Sequence, residues 1–279
     1  MPDQPLPAPA PPDLATLRAG IDAIDDGLHD LLIRRAAITG RLAAERIKGQ
    51  GGSFRPGREA AIFRRLLARH SGGLPPAALL RIWREIIASS LAQQGNFSVA
   101  VLAPQPDSPA LDLARGHFGF NTPWRAHPTP ARALAAVSSG EATVAVLPAP
   151  EEGEAPGTAW WPRLEAPRLQ VVAALPFLLP AGGRGPKALV VAASAADPTG
   201  RDRSLLRLEH APEQSRDALA GALAAAGLPP LRLILHRDAA PGPRHALAEV
   251  AGLLAADDPR LPPLRADLLG AFAEPETLP

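Results

Sequence analysis

Apolar residues recur at spacings of mostly three and four along residues 14–47, the spacing at which side chains share one face of an α-helix. Asp13 precedes this segment as a candidate N-cap, and the glycine-rich stretch 49–53 follows it. The pattern predicts one helix about 50 Å long. Its apolar stripe consists of Leu14, Leu17, Ile21, Ile24, Leu28, Leu31, Leu32, Ile38 and Leu42.

Three arginines fall on or beside this stripe. Arg35 lies between Leu31 and Ile38, one turn from each. Arg46 follows about 20° round the helix from Arg35, and Arg18 stands near the beginning of the helix. A guanidinium directed at a core is costly unless an anion meets it there, and no carboxylate of this helix is placed to neutralise all three. The sequence therefore predicts a buried site for a small anionic ligand.

Two shorter helices are predicted over 56–70 and 75–94, each opened by proline and separated by Ser71, Gly72 and Gly73. One long helix cannot bury its whole stripe against two short ones. Packing of the long helices of two chains against each other would bury it, which predicts a homodimer.

After Gly95 the pattern changes to short buried strands that alternate with helices, which indicates an α/β layout. The fold class predicted for the whole chain is multidomain, α + α/β. It comprises a helical segment, a reduced α/β lobe and a small α+β C-terminal domain. Strands are predicted at 99–104, 143–148, 169–174, 188–192, 204–208 and 231–236, and helices at 108–116, 130–139, 212–226 and 244–254.

The amino-acid composition excludes several classes of function for this chain. The net charge of +1 gives no basic field for nucleic acid, and the absence of cysteine excludes disulfides and a thiol nucleophile. The seven histidines show no metal-ligand spacing. The tail over 1–12, rich in proline and alanine, is expected to be disordered and lacks a secretory pattern. The longest apolar run, 169–179, is too short to span a membrane. These features predict a cytoplasmic location.

Four stretches, "LRAGIDAID", "LLIRR", "FRPGREAAI" and "IIASSLAQQ", give residues 13–95 a resemblance to the all-α class of chorismate mutase. The resemblance implies an intertwined homodimer whose two sites are shared between the chains. It implies conversion of chorismate into prephenate by a [3,3] rearrangement. Such a pericyclic reaction needs no cofactor, metal, nucleophile or proton transfer. It needs the reacting ends held together and the charge on the breaking ether oxygen stabilised.

The resemblance also assigns roles to the residues of the first helix. Arg35 matches the arginine that clamps a substrate carboxylate, and Arg18 matches the arginine that reaches the other carboxylate across the dimer. Arg46 stands where the family has a lysine beside the ether oxygen. Lys48 is the alternative if the loop slips by two residues, although helix phase favours Arg46.

Further roles fall on the two shorter helices. Glu59 matches the carboxylate that receives the ring hydroxyl of the substrate, and Arg58 beside it fits the same motif. Arg55 stands where an acidic residue is frequent. Ser90 and Gln94 match the donor to a carboxylate and the amide that bonds the ether oxygen.

The remaining chain resembles the bifunctional chorismate mutase–prephenate dehydratase through "VAVLAP", "HFGF", "ATVAVLPAPEEG" and "PKALVVAASAADPTGRDRSLLRLE". The resemblance implies a dehydratase-like lobe over 97–190 and a regulatory, amino-acid-binding-like domain over 200–279. Both are degenerate. The second dehydratase lobe is missing between Pro180 and Pro186, and the threonine–arginine–phenylalanine signature falls on Pro186, Lys187 and Ala188. The regulatory signature is replaced by Leu235, His236, Arg237 and Asp238.

Two alternatives to a chorismate mutase without dehydratase activity remain. The chain could be a bifunctional mutase–dehydratase, or a non-catalytic partner that uses the helical segment to dimerise. Retention of the whole candidate site favours the mutase, because a dimerising segment would not need it. Ligand binding or regulation by the C-terminal half, and any partner enzyme, stay open.

Overall fold

A computed structural model describes residues 13–46, 54–180, 182–183, 185–236 and 244–277. The predicted disordered tail lies outside these residues. The backbone divides into two compact units, Met1–Gln50 and Gly51–Pro279. Of the three helices predicted for residues 13–95, the first belongs to one unit and the other two belong to the unit that contains the α/β region.

Helix α1 spans Leu14–Arg46, as predicted. The Asp13 carboxylate caps it by accepting a hydrogen bond from the Thr16 backbone N–H at 2.7 Å, and this bond lowers the pKa of Asp13. The apolar stripe of α1 is exposed in the chain, with large side chains between 44 % exposed at Leu32 and 64 % at Ile24. An exposed apolar surface of this extent is typical of a face that packs against another chain.

The second unit begins with α2 (Pro56–Arg69) and α3 (Pro76–Gln93), each opened by the proline predicted for its first turn. Three more helices follow: α4 (Pro109–Phe118), α5 (Pro130–Ser138) and α6 (Arg216–Ala225). The strands are β1 (Val99–Leu102), β2 (Trp124–His127), β3 (Val144–Pro148), β4 (Gln170–Leu175), β5 (Leu178–Leu179), β6 (Ala188–Ala192), β7 (Asp202–His210), β8 (Pro230–Leu235), β9 (Arg244–Ala251), β10 (Ala266–Ala273) and β11 (Glu276–Thr277).

Nine of these strands form one mixed sheet in the order β2-β1-β3-β6-β4-β10-β7-β9-β8. Strand β1 runs parallel to β2 and β3, whereas β6 runs antiparallel to β3 and β4. Strand β10 is parallel to β4 and antiparallel to β7, and β9 is antiparallel to β7 and β8. The regions predicted as a dehydratase-like lobe and a regulatory-like domain therefore share one continuous sheet.

The two parts of the sheet meet where Gly270 of β10 pairs with Val171 of β4. Gly270 has a φ of +129° beside a register shift, and a Cβ there would lie 2.2 Å from the Val171 carbonyl oxygen. Only glycine accommodates both the backbone conformation and this close approach.

Helices pack on the sheet and form several apolar cores. Helix α5 packs over β1, β2 and β3 at one end of the sheet, and the Trp160–Trp161 pair belongs to the same apolar cluster. Helix α6 covers the C-terminal strands. Helix α4 packs over β1, β3 and β6 in a cluster that also contains Phe54 and Leu91. A further cluster joins α2 and α3 to Phe177. Helices α2 and α3 are thus built into the α/β region.

The prediction of a helix over 244–254 is wrong, because residues 244–251 form strand β9. The residues Ala246, Ala248 and Val250 are buried against α6, whereas His245 and Glu249 alternate with them on the other face. Alanine and leucine favour helices, but this period of two and the pairing with β7 and β8 decide the strand. Strands β2, β5, β10 and β11 were not predicted.

Candidate active site

Arg18 and Arg35 lie on α1, in the first compact unit. The side chain of Arg18 is exposed, whereas Arg35 is half-buried. Burial lowers the pKa of the Arg35 guanidinium below its ordinary value. One turn further, the buried Thr39 donates its hydroxyl hydrogen to the Arg35 carbonyl oxygen at 2.9 Å.

Arg46 is the last residue of α1, and Lys48 lies outside the described residues. The backbone of α1 extends far enough to include Arg46 on the helix, which the helix-phase argument assumed. The choice between Arg46 and Lys48 for the role beside the ether oxygen stays a prediction.

Arg58 and Glu59 lie in the first turn of α2, in the second compact unit. Arg58 is exposed, and Glu59 is buried together with Pro56, Ala60 and Phe63 on the inner face of the helix. A carboxylate in the first turn of a helix is favoured by the helix dipole, but its burial requires a cationic partner.

That partner is Arg84 of α3. Its Nη1 donates a hydrogen bond to Glu59 Oε2 at 2.9 Å and lies 3.4 Å from Nε2 of His117, a residue of α4. The carboxylate oxygen Glu59 Oε2 and the imidazole nitrogen His117 Nε2 are 3.9 Å apart. The Arg84 guanidinium also lies over the Phe63 ring, 4.0 Å from its centre. Among the described residues, Glu59 Oε1 accepts no hydrogen bond.

Burial controls the ionisation of all three groups. It raises the pKa of Glu59 to about 7, although the charge of Arg84 and its hydrogen bond act in the opposite direction. It lowers the pKa of Arg84 to about 10, against the influence of Glu59. Burial, followed by the charge of Arg84, holds the pKa of His117 well below its ordinary range. His117 is therefore neutral beside an ion pair that is fully charged only above neutral pH.

Ser90 and Gln94 lie at the end of α3. Ser90 is buried and donates its hydroxyl hydrogen to the Ile86 carbonyl oxygen at 2.8 Å. Gln94 is half-buried, and its backbone N–H caps the helix by bonding Leu91 O at 3.0 Å. Four residues apart, the two lie on neighbouring turns of one helix face, as predicted.

Two further arginines tie α2 to the α/β region. Arg55, at a position where the family often has an acidic residue, pairs with Asp197 at 2.8 Å. Arg64 donates to Glu276 Oε1 at 2.6 Å, to Thr199 Oγ1 at 2.8 Å and to the Glu274 carbonyl oxygen at 2.8 Å. The helix that carries Glu59 is therefore fixed to β11 and to the loop before β7.

Sequence reasoning missed Arg84 and His117. Arg84 interrupts the apolar face of α3 between Leu80 and Ile87, the same signal that marked Arg35 on α1, so the sequence could have indicated it. His117 stands in a different helix, and no spacing in the sequence relates it to Glu59.

The candidate residues of the dehydratase-like region lie around β5, β6 and β8. Strand β5 ends at Leu179 and β6 begins at Ala188, so a short turn stands where a second lobe would be inserted. Lys187 is exposed, Ala188 and His236 are buried, and Leu235 ends β8. Arg237 and Asp238 lie outside the described residues.

Residues 17–95 match the family model described as chorismate mutase type II. The chain therefore carries a chorismate mutase type II domain at its N-terminal end, which comprises most of α1 together with α2 and α3. In the described part of the chain, no helix is both long and apolar enough to cross a membrane.

The chain is 32 % identical over 131 residues to the bifunctional chorismate mutase/prephenate dehydratase of Neisseria gonorrhoeae, which covers 47 % of this chain and 35 % of the relative. The protein of the same description from Aquifex aeolicus is 34 % identical over 122 residues, 42 % of this chain and 32 % of the relative. The chain thus matches about a third of the length of these curated relatives. The first match is longer than the first 95 residues of the chain, so it reaches into the α/β region.

Two solved structures are weakly similar. GqqA, described as a novel type of quorum quenching acylases, superposes with a TM-score of 0.47 and 17 % identity over 64 % of this chain and 96 % of that chain. Prephenate dehydratase from Streptococcus mutans superposes with a TM-score of 0.45 and 14 % identity over 65 % of this chain and 100 % of that chain. Both TM-scores are below 0.5, so neither likeness decides the activity of the α/β region.

Proposed function

We propose that this chain is a chorismate mutase that converts chorismate into prephenate by a [3,3]-pericyclic rearrangement. The observation that carries the proposal is the half-buried Arg35, set in the apolar stripe of a helix that belongs to a chorismate mutase type II domain. Arg35 stands at the position of the family's carboxylate-binding arginine, and a planar guanidinium suits a carboxylate of chorismate.

The cationic residues hold the two carboxylates of the substrate. The planar guanidinium of Arg35 binds one carboxylate through two parallel hydrogen bonds. Arg18, exposed in this chain, reaches the other carboxylate in the site of the partner chain. Arg46 or Lys48 stands beside the ether oxygen, where negative charge develops as the bond breaks. Arg58, exposed beside Glu59 in the first turn of α2, contributes to substrate binding as the resemblance implies.

The polar residues of α2 and α3 complete the site. Glu59 receives the ring hydroxyl on Oε1, since Oε2 is held by Arg84. Ser90 donates to a carboxylate once its hydroxyl hydrogen turns away from the Ile86 carbonyl oxygen. The Gln94 amide donates to the ether oxygen. These groups hold the substrate in its reactive conformation, and no covalent step on the protein is required.

The proposed assembly is a homodimer formed by α1. Its large apolar side chains are between 44 % and 64 % exposed in one chain, which a second copy of the same stripe would cover. A helix this long and this apolar on one face gains stability by packing against a partner helix. The exposed position of Arg18 on the same helix agrees with its donation across the dimer.

For the α/β region we propose a role without dehydratase activity. The eight residues between β5 and β6 support this, because the described part of the chain contains no second lobe to close over prephenate. The bifunctional alternative draws support from the relatives, whose printed description includes prephenate dehydratase and whose similarity extends past the mutase domain. Formation of phenylpyruvate from prephenate faster than the acid-catalysed background would establish the alternative.

The test of the mutase proposal is chorismate disappearance and prephenate appearance with the purified full chain, compared with the variants Arg35→Ala and Arg41→Ala. Arg41 is a matched control, an exposed arginine on the same helix. Arg35→Ala should lower kcat/KM by about 100-fold or more, the size expected when a charged contact to the reacting substrate is lost. Arg41→Ala should stay within about twofold of the wild type.

Absence of turnover by a folded wild-type chain would overturn the proposal. Equal losses in both variants would show that the charge of α1, and not the position of Arg35, matters. Full activity of Arg35→Ala would show that Arg35 has a structural role.

A further inference from the structure

The α/β region contributes a side chain to the buried cluster around Glu59. His117 belongs to α4, outside the family match over residues 17–95. Its Nε2 nevertheless lies 3.4 Å from Arg84 Nη1 and 3.9 Å from Glu59 Oε2. Its side chain is 8 % exposed, as closely enclosed as those of Arg84 and Glu59. A residue outside the mutase domain therefore faces a carboxylate assigned to the mutase site.

Several contacts fix this position of His117. Gly119 ends α4 with a φ of +83°, and a Cβ there would lie 2.6 Å from the Ala88 Cβ of α3, so the two helices approach as closely as backbone allows. The Phe120 backbone N–H then donates to Glu85 Oε1 at 3.2 Å. On the other side, Phe118 packs against Phe54, 5.7 Å between ring centres. The end of α4 is held against both α2 and α3.

The charges of the cluster give His117 a specific task. Because burial and the Arg84 charge keep His117 neutral, one ring nitrogen carries a lone pair that can accept from the Arg84 guanidinium. The Phe63 ring covers one face of the Arg84 guanidinium. The contacts of Arg84 Nη1 with the His117 imidazole and the Glu59 carboxylate fix the direction in which the guanidinium points. Among the described residues, Arg84 and His117 are the ionisable groups within 4 Å of the Glu59 carboxylate.

We propose that Arg84 and His117 are positioning residues for Glu59, and that the α/β region, through His117, sets the pH range in which this carboxylate can receive the substrate hydroxyl. The proposal rests on the proposed mutase function. Neither residue touches the substrate. Arg84 holds Oε2, His117 holds Arg84 and excludes water, and Oε1 is left to accept the hydroxyl hydrogen.

The consequence is a rate that depends on pH near neutrality. The ionised carboxylate accepts the hydroxyl hydrogen more strongly than the protonated carboxyl does, so kcat/KM should rise with pH through the pKa of Glu59, about 7. If His117 is shortened to alanine, water enters the cluster and the burial that raises this pKa is relieved. The rising limb of the pH profile should then move to lower pH.

The test uses the full chain with three variants and two measurements. His117→Ala admits water, His117→Gln keeps an acceptor of similar reach, and Arg115→Ala changes an exposed residue of the same helix as a control. The measurements are kcat/KM for chorismate across pH and the titration of the Glu59 carboxyl by ¹³C NMR. His117→Ala should lower the midpoint in both by about one pH unit and reduce kcat/KM about tenfold above neutral pH, the factor expected for one lost buried hydrogen bond.

His117→Gln and Arg115→Ala should keep the wild-type midpoint. If His117→Ala does not fold, His117→Asn, which also leaves room for a water, should shift both midpoints in the same direction. An unchanged rate profile and an unchanged carboxyl titration in the folded variant overturn the inference while the mutase function stands. A wild-type chain that folds but does not turn over chorismate overturns the proposed function itself, and with it the catalytic meaning of the cluster.

Discussion

Helix α1 and the pair α2–α3 carry the same kind of amphipathic pattern, but only the pair buries its apolar face within this chain. On α1 the central Leu31 is 60 % exposed, whereas Phe63 of α2 is 0 % exposed and Leu91 of α3 is 5 % exposed. In both cases periodicity defines the apolar face of the helix, but it does not define which surface, if any, covers that face.

The apolar stripe of α1 and the buried faces of α2 and α3 differ in the side chains that they present. The stripe of α1 is almost wholly aliphatic and as long as the helix, which suits a second copy of itself. The faces of α2 and α3 combine aromatic rings with buried charges. Phe54 packs against Phe97 of the α/β region, 5.4 Å between ring centres, and Glu59 meets Arg84 and His117. Such a face requires a surface with matching shape and charge, and this chain supplies it.

The largest effect is expected from a charge placed in the apolar stripe of α1, because it tests whether that stripe packs against a second chain. Leu28→Glu should convert the proposed dimer into a monomer and abolish mutase turnover, because Arg18 would no longer reach the partner site. Burial of a leucine is worth about 1.5–3 kcal/mol and both copies lose it, so the dissociation constant should rise at least about 100-fold. Sedimentation equilibrium measures the change.

The matched control is Ala44→Glu, about 200° round the same helix from Leu42. This variant should remain dimeric and active. A wild-type chain that sediments as a monomer, or a Leu28→Glu chain that remains a dimer, would show that the exposed stripe has another use.

The next largest effect is expected from loss of the buried ion pair between Glu59 of α2 and Arg84 of α3. Arg84→Met leaves a buried carboxylate without its cation, which should lower the free energy of unfolding by about 3–5 kcal/mol. The pKa of Glu59 already lies above its ordinary value of 4.5, at about 7. The stability associated with the neutral carboxyl is therefore full below the ordinary pKa and is lost as pH rises through the folded one. Removal of Arg84 raises the folded pKa further. The loss relative to the wild type should therefore grow as pH rises above about 7, where the wild-type carboxyl ionises in the folded state and that of the variant does not.

The double variant Glu59→Leu/Arg84→Met should recover most of the lost stability, because no buried charge remains. Arg81→Met, at an exposed position of the same helix, should change the free energy of unfolding by less than about 0.5 kcal/mol. Denaturant titrations at several pH values provide these comparisons. A loss in Arg84→Met that does not depend on pH would contradict the ionisation argument.

A smaller effect on stability is expected from alanine substitutions at one glycine in α2 and one in α1. In α2, a Cβ at Gly57 would lie 2.4 Å from the Asp197 Cβ and 2.8 Å from its carbonyl oxygen. Gly57→Ala should therefore destabilise the chain by about 1–3 kcal/mol through overpacking. In α1, a Cβ at Gly40 meets nothing within 4 Å, so Gly40→Ala should stabilise the helix by about 1 kcal/mol. Thermal unfolding of the two variants should shift in opposite directions, and shifts of the same sign would show that one helix is covered differently.

The sequence predicted most of the fold where periodicity and helix-ending residues agree. Asp13, Pro56 and Pro76 marked the beginnings of α1, α2 and α3, and the helices follow them. The prediction failed at β9, where alanine-rich sequence favours a helix but the sheet requires a strand. It also missed β10, whose place depends on pairing with β4 and β7 and not on any local signal.

The roles of the candidate site residues stay predictions. The position of Arg35 in an apolar stripe is a local signal that the sequence supplies by itself. The assignment of Glu59 came from resemblance, but its ion pair depends on packing between α2, α3 and α4. A contact between residues as distant in sequence as Glu59 and His117 is determined by the fold as a whole, so no spacing could indicate it.

The hydrogen bonds of Arg64 have a consequence for the order in which the chain folds. Arg64 bonds Glu276, 212 residues later, together with Thr199 and the Glu274 carbonyl oxygen. At a synthesis rate of about 5–20 residues per second, a ribosome needs roughly 10–40 s to make the sequence between Arg64 and Glu276. During that interval Arg64 cannot make all of these contacts. Helix α2 therefore completes its long-range contacts only after β11 has been synthesised, and contacts between residues this distant in sequence form slowly.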